Sequence, residues 1–181
     1  MSNKPVRYRL YYALWPEAGL AEAIYNGVQR PLADCHARYV PAHNYHITLV
    51  FYGSADDKQR RCLEKAGDRI KGDQFELVLN TLGYWSRPKV NWLAPTEIPA
   101  ALVQLQSELS ESLVSHCEYQ ADNRPYRPHL TLTRKSKQQT TEVEIDPIAW
   151  QVNRFVLVQS ITRPEGAEYR VIKEWPLDFR E

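Results

Sequence analysis

Two short apolar runs, 83 residues apart, carry the same alternation of apolar and polar side chains. The shared order is histidine, aliphatic, threonine, aliphatic, and it occupies residues 46–49 and 129–132. Successive side chains of a β-strand point to opposite faces. Each run is therefore predicted to bury its two aliphatic side chains and to present one imidazole and one hydroxyl on the other face. Two such strands lying side by side would direct two imidazoles toward one small ligand.

The segments around these runs are predicted to be a mixture of strands and helices. Apolar alternation predicts strands at residues 7–14, 38–40, 46–52 (closed by Gly53), 75–79, a stretch ending near 85, 90–94, a stretch starting at 129, 155–161 and 169–175. Helical spacing predicts three helices. The first begins at residues 15–17 and ends at Pro31, and the third runs along residues 98–113. The second is predicted to be capped by Ser54, with Asp57 at the capping-box position, and to end at Gly72. The polar residues 135–141 are predicted to form a mobile loop.

The order of these elements is similar in the two halves of the chain, and each half contains one of the two histidine runs. This order predicts a duplicated α+β architecture. Neither a linker nor a low-complexity segment interrupts it, so we expect one two-lobed domain over residues 1–181.

Composition narrows the class of protein. Hydrophobic residues make up 43% of the 181 positions and charged residues 25%, as in an ordinary globular protein. The formal net charge of +1 favours a short footprint on nucleic acid, because long footprints need a basic face. We expect no signal peptide and no membrane span. Cys35, Cys62 and Cys117 are widely spaced and suggest neither a metal site nor a disulfide framework, so a reducing cytoplasm is the expected location.

A pair of histidines is suited to proton transfer near neutral pH. The ordinary pKa of histidine is about 6.5, so one imidazole can be neutral while the other is protonated. Opening a cyclic phosphate needs a base that deprotonates water and an acid that protonates the leaving sugar oxygen, and each role is typically worth about 10² to 10⁴ in rate. The hydroxyls of Thr48 and Thr131 can donate hydrogen bonds to the non-bridging phosphate oxygens. A single run would be weak evidence, because a lone strand histidine is usually structural, but two copies after proline-containing loops are much stronger.

Strand spacing also predicts on which face Arg134 and His43, which lie near the two histidine runs, are found. Arg134 follows His129 by five residues, and on a regular strand this odd separation places it on the opposite face. An arginine near phosphate is chemically apt, but the spacing alone does not bring it to the site. His43 and His46 are three residues apart and also fall on opposite faces, and no carboxylate or cysteine completes a set of ligands. No metal site is therefore predicted.

These motifs resemble those of the two-histidine phosphoesterase superfamily and, more narrowly, the bacterial RNA 2′,3′-cyclic phosphodiesterases, also called the 2′-5′ RNA ligase family. The likeness covers nearly the whole chain and includes, beside the two runs, Arg124–His129, Thr133–Arg134, Trp15–Pro16, Ser86–Arg87, Trp92–Leu93 and the ending from Tyr169 to Leu177. It implies a bilobed, pseudo-twofold α+β fold in which antiparallel sheets line a central groove and the helices lie outside. Arg127 departs from the family, where relatives often carry another residue, and this affects rim contacts rather than chemistry.

The resemblance also implies an activity and roles for individual residues. The activity is metal-independent hydrolysis of RNA 2′,3′-cyclic phosphate ends to 2′-phosphates, without a cofactor. His46 would be the proton donor and His129 the proton acceptor. Thr48 and Thr131 would bind phosphate oxygens, and Arg134 would be a substrate-binding residue, because the family's arginine at this place tends to approach the substrate.

Several alternatives stay open from sequence. Tyr126 is a candidate substrate-binding residue, although residues such as Tyr126 and Phe51 more often belong to a core than to a stacking platform.

The substrate could be a small cyclic nucleotide such as ADP-ribose cyclic phosphate instead of an RNA end. A non-catalytic RNA-end-binding module is opposed by the intact histidines and threonines. Ligation of 2′ and 5′ RNA ends is the reverse of cleavage and uses the same residues. We expect no membrane and no obligatory protein partner.

Overall fold

The computed structural model of this chain describes residues 7–137, 143–164 and 166–179. Three α-helices and nine strands follow one another within these ranges, with a short 3₁₀ turn at Ala42–Asn44. The helices are α1 (Ala18–Gln29), α2 (Asp57–Asp68) and α3 (Ala100–His116). The strands are β1 (Tyr8–Leu14), β2 (Arg38–Tyr39), β3 (Ile47–Ala55), β4 (Phe75–Trp85), β5 (Val90–Ala94), β6 (Leu130–Arg134), β7 (Val143–Val152), β8 (Arg154–Arg163) and β9 (Gly166–Pro176).

The strands form one sheet that is symmetric about its centre. Their order is β7-β4-β5-β6-β3-β1-β8-β9, with β2 attached to β6, and the paired strands are antiparallel. From the centre outwards, the halves read β3-β1-β8-β9 and β6-β5-β4-β7, so each of these eight strands has a counterpart and only the short β2 has none. The predicted two-lobed, pseudo-twofold α+β fold is therefore confirmed.

The helices cover one face of the sheet and leave the other face for the groove. The main core joins sheet residues to the apolar stripes of the helices, namely Ala21, Ile24 and Val28 of α1, Leu63 and Ala66 of α2, and Leu102, Leu105, Leu109 and Leu113 of α3. A second, smaller cluster of Tyr11, Ala13, Val156 and Val158 is separate from this core. The histidine runs lie between the two lobes, where the sheet halves meet.

Some predicted boundaries are wrong. β3 continues past Gly53, because Ser54 is still paired with Arg9 of β1. The cap of α2 is consequently Asp56, whose side chain accepts a hydrogen bond from the backbone N–H of Gln59 at 2.8 Å, while the Gln59 side chain accepts one from the Asp56 backbone at 3.0 Å. This arrangement is a capping box, two residues later than predicted.

Two strands differ more strongly from the prediction. The segment predicted at residues 75–79 and the one ending near Trp85 are a single strand, β4, with a register shift between Leu79 and Thr81. β7 was not predicted, because Pro147 interrupts its apolar alternation. Proline is tolerated at a sheet edge, which is where β7 lies. Of the predicted mobile loop, residues 138–141 lie outside the described residues.

The cysteine prediction is also wrong. Cys62 of α2 and Cys117, directly after α3, form a disulfide with a Cα–Cα distance of 5.7 Å, and Cys35 is a buried free thiol. The two half-cystines are 55 residues apart in sequence and meet because α2 packs beside α3. The cysteine content therefore gives no support for a reducing compartment, and a cytoplasmic location stays a prediction. In the described part of the chain, no helix has the length and apolar character needed to cross a membrane.

Candidate active site

His46 and His129 are brought together where the central strands β3 and β6 meet. The aliphatic residues that follow the two histidines are paired in antiparallel register and are fully buried. Continuing this register by one residue on each side sets His46 beside Thr131 and His129 beside Thr48, facing away from the main core. Directly opposite residues of antiparallel strands have Cβ atoms about 4.5–5.5 Å apart. The predicted alternation is confirmed, and each imidazole is placed next to the hydroxyl of the other strand.

Each imidazole is anchored by its own approach loop. Nδ1 of His46 lies 2.7 Å from the carbonyl oxygen of Asn44, and Nδ1 of His129 lies 2.8 Å from that of Arg127. A carbonyl oxygen only accepts hydrogen bonds, so in both rings Nδ1 carries the proton and donates it. Nε2 is left to exchange a proton with a ligand. The two rings are therefore held in the same tautomer by equivalent bonds.

Aromatic side chains surround the His46 ring. It stacks on Trp15 with 5.2 Å between ring centroids and 3° between the planes. Tyr11 packs at 5.1 Å and is tilted by 35°, and Tyr169 approaches edge-on at 5.1 Å. Three rings from β1, the segment after β1, and β9 therefore exclude water from most of this imidazole.

This environment favours the neutral form of His46. Burial is the largest cause that lowers its pKa from 6.5 to about 4. The hydrogen bond to the Asn44 carbonyl raises the pKa, and the positive charges of Arg134 and His129 lower it. Since the charges of Arg134 and His129 act on His46, the three groups share one electrostatic environment.

The His129 ring is packed less completely. Trp85 meets it edge-on, with 4.5 Å between centroids, and Trp92 packs behind Trp85 at 5.4 Å. A Cβ at Gly83 would lie 2.2 Å from the Trp92 ring, so this glycine makes room for the aromatic pair. Burial lowers the pKa of His129, and its hydrogen bond to the Arg127 carbonyl raises it.

A β-bulge in β6 brings Arg134 to the groove. Two consecutive residues of β5 are paired with Thr131 and Thr133, so Leu132 is an extra residue. Leu132 and Thr133 are both buried, and Arg134 is exposed. A bulge shifts the alternation by one residue, which returns Arg134 to the face of the histidine motif. The spacing argument for the opposite face holds only for a regular strand, and the bulge at Leu132 makes β6 irregular before Arg134.

A buried polar network holds this bulge. The Asn91 side-chain amide donates to the hydroxyl of Thr133 at 2.8 Å and to that of Ser136 at 3.3 Å. The Ser136 hydroxyl donates to the carbonyl of Cys35 at 3.1 Å. These three polar side chains are almost fully buried. Thr133 and Ser136 flank Arg134, so these bonds connect the chain on both sides of it to β5 and to the segment that contains Cys35.

An equivalent bulge in β3 brings Phe51 to the other end of the groove. Consecutive residues of β1 are paired with Thr48 and Val50, so Leu49 is the extra residue. Phe51 is 46% exposed and carries the Arg9 guanidinium 5.0 Å from its ring centroid. The prediction that Phe51 belongs to the core is wrong. In the pseudo-symmetric fold Phe51 occupies the place that Arg134 has in the other half.

Tyr126 joins the second approach loop to β3. Its hydroxyl donates to the backbone carbonyl of Thr48 at 3.1 Å, and burial raises its pKa. The hydroxyl is thereby engaged in the fold, whereas the side chain also lines a cavity beside His129. Contact between Tyr126 and a substrate stays a prediction.

Two cavities are lined by residues of the candidate site. One has a volume of about 750 Å³ and contains Thr48, Phe51, Trp85, Tyr126 and His129 in its wall. The other has a volume of about 550 Å³ and is lined by Arg38, His43, Arg134, Lys135 and Tyr169, among others. Sites for small molecules and cofactors usually measure about 300–1,000 Å³. The first cavity is mainly aromatic around the histidine, and the second is mainly cationic.

No group of three or more histidine, cysteine, aspartate or glutamate side chains within residues 7–137, 143–164 and 166–179 is arranged to hold a metal ion. The groups that converge on the groove are two imidazoles, two threonine hydroxyls and one guanidinium. This set can transfer protons and bind an anion.

The sequence did not reveal the aromatic residues that pack around the histidines. The sequence pattern shows Trp15, Trp85 and Tyr169 only as residues at the ends of predicted elements. For Phe51 a signal was present, because it follows His46 by the same five residues that separate Arg134 from His129. For the others, the partner strand decides which ring reaches the histidine.

Known proteins resemble this chain in sequence and in fold. The sequence model of the 2′-5′ RNA ligase superfamily matches residues 16–163. The RNA 2′,3′-cyclic phosphodiesterase of Escherichia coli (strain K12) is 31% identical over 172 residues, which cover 93% of this chain and 96% of that protein. The RNA 2′,3′-cyclic phosphodiesterase of Thermotoga maritima is 30% identical, with 76% of this chain and 78% of the relative covered. The crystal structure of E. coli LigT complexed with 3′-AMP superimposes with a TM-score of 0.86 at 28% identity and covers 95% of this chain and 99% of that one.

A pseudo-symmetric α+β fold with two histidine-threonine strands facing a central groove defines a two-histidine phosphoesterase. Within that class, the chain belongs to the 2′-5′ RNA ligase superfamily.

Proposed function

We propose that this protein hydrolyses the 2′,3′-cyclic phosphate ends of RNA. The observation that carries the proposal is the pair of imidazoles, each anchored through Nδ1 and each beside a threonine of the opposite strand. The names and high coverage of the relatives in E. coli and T. maritima support the same substrate class.

In the proposed reaction, Nε2 of His129 takes a proton from water, and the oxygen of that water forms a bond to phosphorus. The bond between phosphorus and the ribose 3′ oxygen breaks, and Nε2 of His46 donates a proton to the departing oxygen. The product carries a 2′-phosphate and a free 3′-hydroxyl. The choice of His46 as acid and of the 3′ oxygen as leaving group rests on the family resemblance.

The electrostatics of the free protein add a condition to this assignment. Burial lowers the pKa of His46 to about 4, so His46 is neutral at pH 7 before a substrate binds. An acid must carry a proton. The positive charge of Arg134 lowers the pKa of His46. The negative charge of a bound phosphate has the opposite effect, because it favours the imidazolium and offsets the charge of Arg134. We therefore propose that His46 takes up its proton together with the anionic substrate.

The remaining polar groups are proposed to hold the phosphate during the reaction. Thr48 and Thr131 supply one hydroxyl from each central strand, and Arg134 supplies a guanidinium from the second cavity. Hydrogen bonds from charged donors to phosphate oxygens are about twice as strong as neutral ones. Donors on both sides keep phosphorus in line between the two Nε2 atoms.

The aromatic cavity is proposed to receive the terminal nucleobase. Phe51 and Trp85 both line it, and Phe51 is 46% exposed. Stacking of a base on an aromatic side chain is worth about 1–3 kcal/mol and tolerates different bases. The formal net charge of +1 leaves few cations for further phosphates, so affinity should fall only shallowly with salt.

The test is incubation with an oligoribonucleotide that ends in a 2′,3′-cyclic phosphate. The product should resist a phosphatase specific for 3′-phosphates and release phosphate to a non-specific phosphatase. Release by the 3′-specific enzyme would reverse the proposed polarity of bond cleavage. Binding of the oligonucleotide without turnover would instead identify an RNA-end-binding module, and turnover of ADP-ribose cyclic phosphate alone would identify a small-nucleotide enzyme.

A further inference from the structure

The hydroxyl of Tyr11 is a buried polar group that forms no hydrogen bond with the residues the structure describes. The Tyr11 side chain is 3% exposed, and its Oη has no hydrogen-bond partner among the described residues. A buried hydroxyl that leaves its hydrogen bond unmade destabilises a protein. Each such group in a native fold calls for a physical reason.

Tyr11 lies on the groove side of the sheet. It belongs to the small apolar cluster formed with Ala13, Val156 and Val158, which is separate from the main core under the helices. β1 is the neighbour of β3, and Tyr11 is paired there with Phe51. The side chain is therefore part of the surface that carries the histidine motif.

The contacts of Tyr11 bring its side chain to the His46 end of the groove. Its ring centroid is 5.1 Å from that of His46 and 6.0 Å from that of Tyr169, which meets it edge-on. The charge of Arg134 acts on both the Tyr11 hydroxyl and His46. The hydroxyl, the imidazole and the guanidinium consequently lie around one region, although they come from β1, β3 and β6.

We propose that Tyr11 is a further substrate-binding residue, whose hydroxyl donates a hydrogen bond to a non-bridging oxygen of the phosphate bound between His46 and Arg134. The inference rests on the proposed function, because it takes the bound group to be a phosphate ester. A phosphate oxygen supplies an acceptor that none of the described residues offers to this hydroxyl. Burial raises the pKa of Tyr11, so the phenol keeps its proton at neutral pH and acts as a donor.

A matched control distinguishes this role from a merely unpaired hydroxyl. Tyr45 is also a fully buried tyrosine whose Oη has no partner among the described residues. It belongs to the main core instead of the groove cluster. Tyr11→Phe removes a hydroxyl on the groove side and Tyr45→Phe removes one in the main core. Both variants should fold, because neither deletes a hydrogen bond between described residues.

The experiment measures two quantities for the full-length wild type and both variants. The first is kcat/KM with an oligoribonucleotide 2′,3′-cyclic phosphate. The second is the affinity for inorganic phosphate, followed through the rise of Tm that it causes. Tyr11→Phe should lower both by about 10- to 100-fold, as expected for loss of one hydrogen bond to a charged group. Tyr45→Phe should change each by less than about twofold.

Equal behaviour of the two variants in both measurements would overturn the role of Tyr11, as would a wild-type protein that binds no phosphate. A wild type that binds phosphate but hydrolyses no cyclic phosphate would remove the proposed function. The phosphate affinities would then decide Tyr11 alone: a loss of about tenfold or more in Tyr11→Phe supports the contact, and an unchanged affinity refutes it.

Discussion

Binding of inorganic phosphate is predicted to raise the pKa of His46 by a large amount. Burial, with smaller contributions from Arg134 and His129, lowers this pKa from 6.5 to about 4 in the free protein, which corresponds to about 3 kcal/mol in favour of the neutral ring. A phosphate charge about 4 Å away attracts an imidazolium by about 4 kcal/mol at an effective dielectric constant near 20. The two effects are similar in size and opposite in sign. Saturating phosphate should therefore return the pKa of His46 to the range usual for histidine.

The assay is an NMR pH titration of the five histidine ring resonances, with and without phosphate. His46→Gln identifies the His46 signal by its disappearance. His116 is exposed on α3, away from the groove, so its resonance should not move when phosphate is added and serves as an internal control. A free-protein His46 that titrates near pH 6.5, or one that phosphate leaves unshifted, would refute the account of this site.

The same shift has a consequence for stability. The unfolded chain binds the His46 proton near the ordinary pKa of 6.5, whereas the folded protein binds it only near pH 4. Between these values the unfolded state holds more protons than the folded state. The free energy of unfolding should consequently fall as the pH drops from about 6.5 to about 4. His46→Gln should show a smaller fall over this window.

Three further predictions concern the threonine hydroxyls, the effect of a chelator and the packing of Gly83. Thr48→Val and Thr131→Val keep the side-chain shape and remove a donor, so each should raise the activation free energy by about 1–3 kcal/mol, measured as kcat/KM; a double variant as active as wild type would exclude both contacts. Activity should survive EDTA, because imidazoles supply both the acid and the base, and a loss that added zinc or manganese reverses would contradict this. Gly83→Ala should lower the free energy of unfolding by about 1–3 kcal/mol in chemical denaturation, because its Cβ would lie 2.2 Å from the Trp92 ring. Gly19→Ala is the control: its Cβ would meet nothing within 4 Å, so this variant should not be destabilised.

The parts of the fold that follow from local pattern could be predicted from sequence. The two histidine runs are regular at their beginnings, so alternation correctly placed His46 and Thr48 on one face and the aliphatic residues on the other. The stripe of leucines along α3 also identified the buried face of that helix. In both cases the information lies within a few consecutive residues.

Features that depend on a partner strand could not be predicted. The side on which Arg134 emerges is decided by the bulge at Leu132, which exists only because β6 is paired with β5 and Asn91 bonds to Thr133. The exposure of Phe51 depends in the same way on pairing between β3 and β1. Spacing along one strand carries no information about an extra residue in the register.

Long-range contacts account for the other differences. Cys62 and Cys117 are separated by 55 residues, and only the packing of α2 against α3 brings them together. The aromatic residues around His46 come from segments as distant as Trp15 and Tyr169. A sequence without coordinates shows the residue types but not which of them meet.

The central claim is that His46 and His129 act together in breaking one P–O bond. The most direct measurement is turnover of an oligoribonucleotide 2′,3′-cyclic phosphate by the wild type, His46→Ala, His129→Ala and the double variant, with circular dichroism confirming the fold of each. Each single variant should lose about 10² to 10⁴ in kcat, because each lacks one proton-transfer group. The double variant should be little worse than the weaker single variant, since residues that act as a unit are not additive. Near-wild-type turnover by either single variant, or fully additive losses in the double variant, would contradict the two-histidine mechanism.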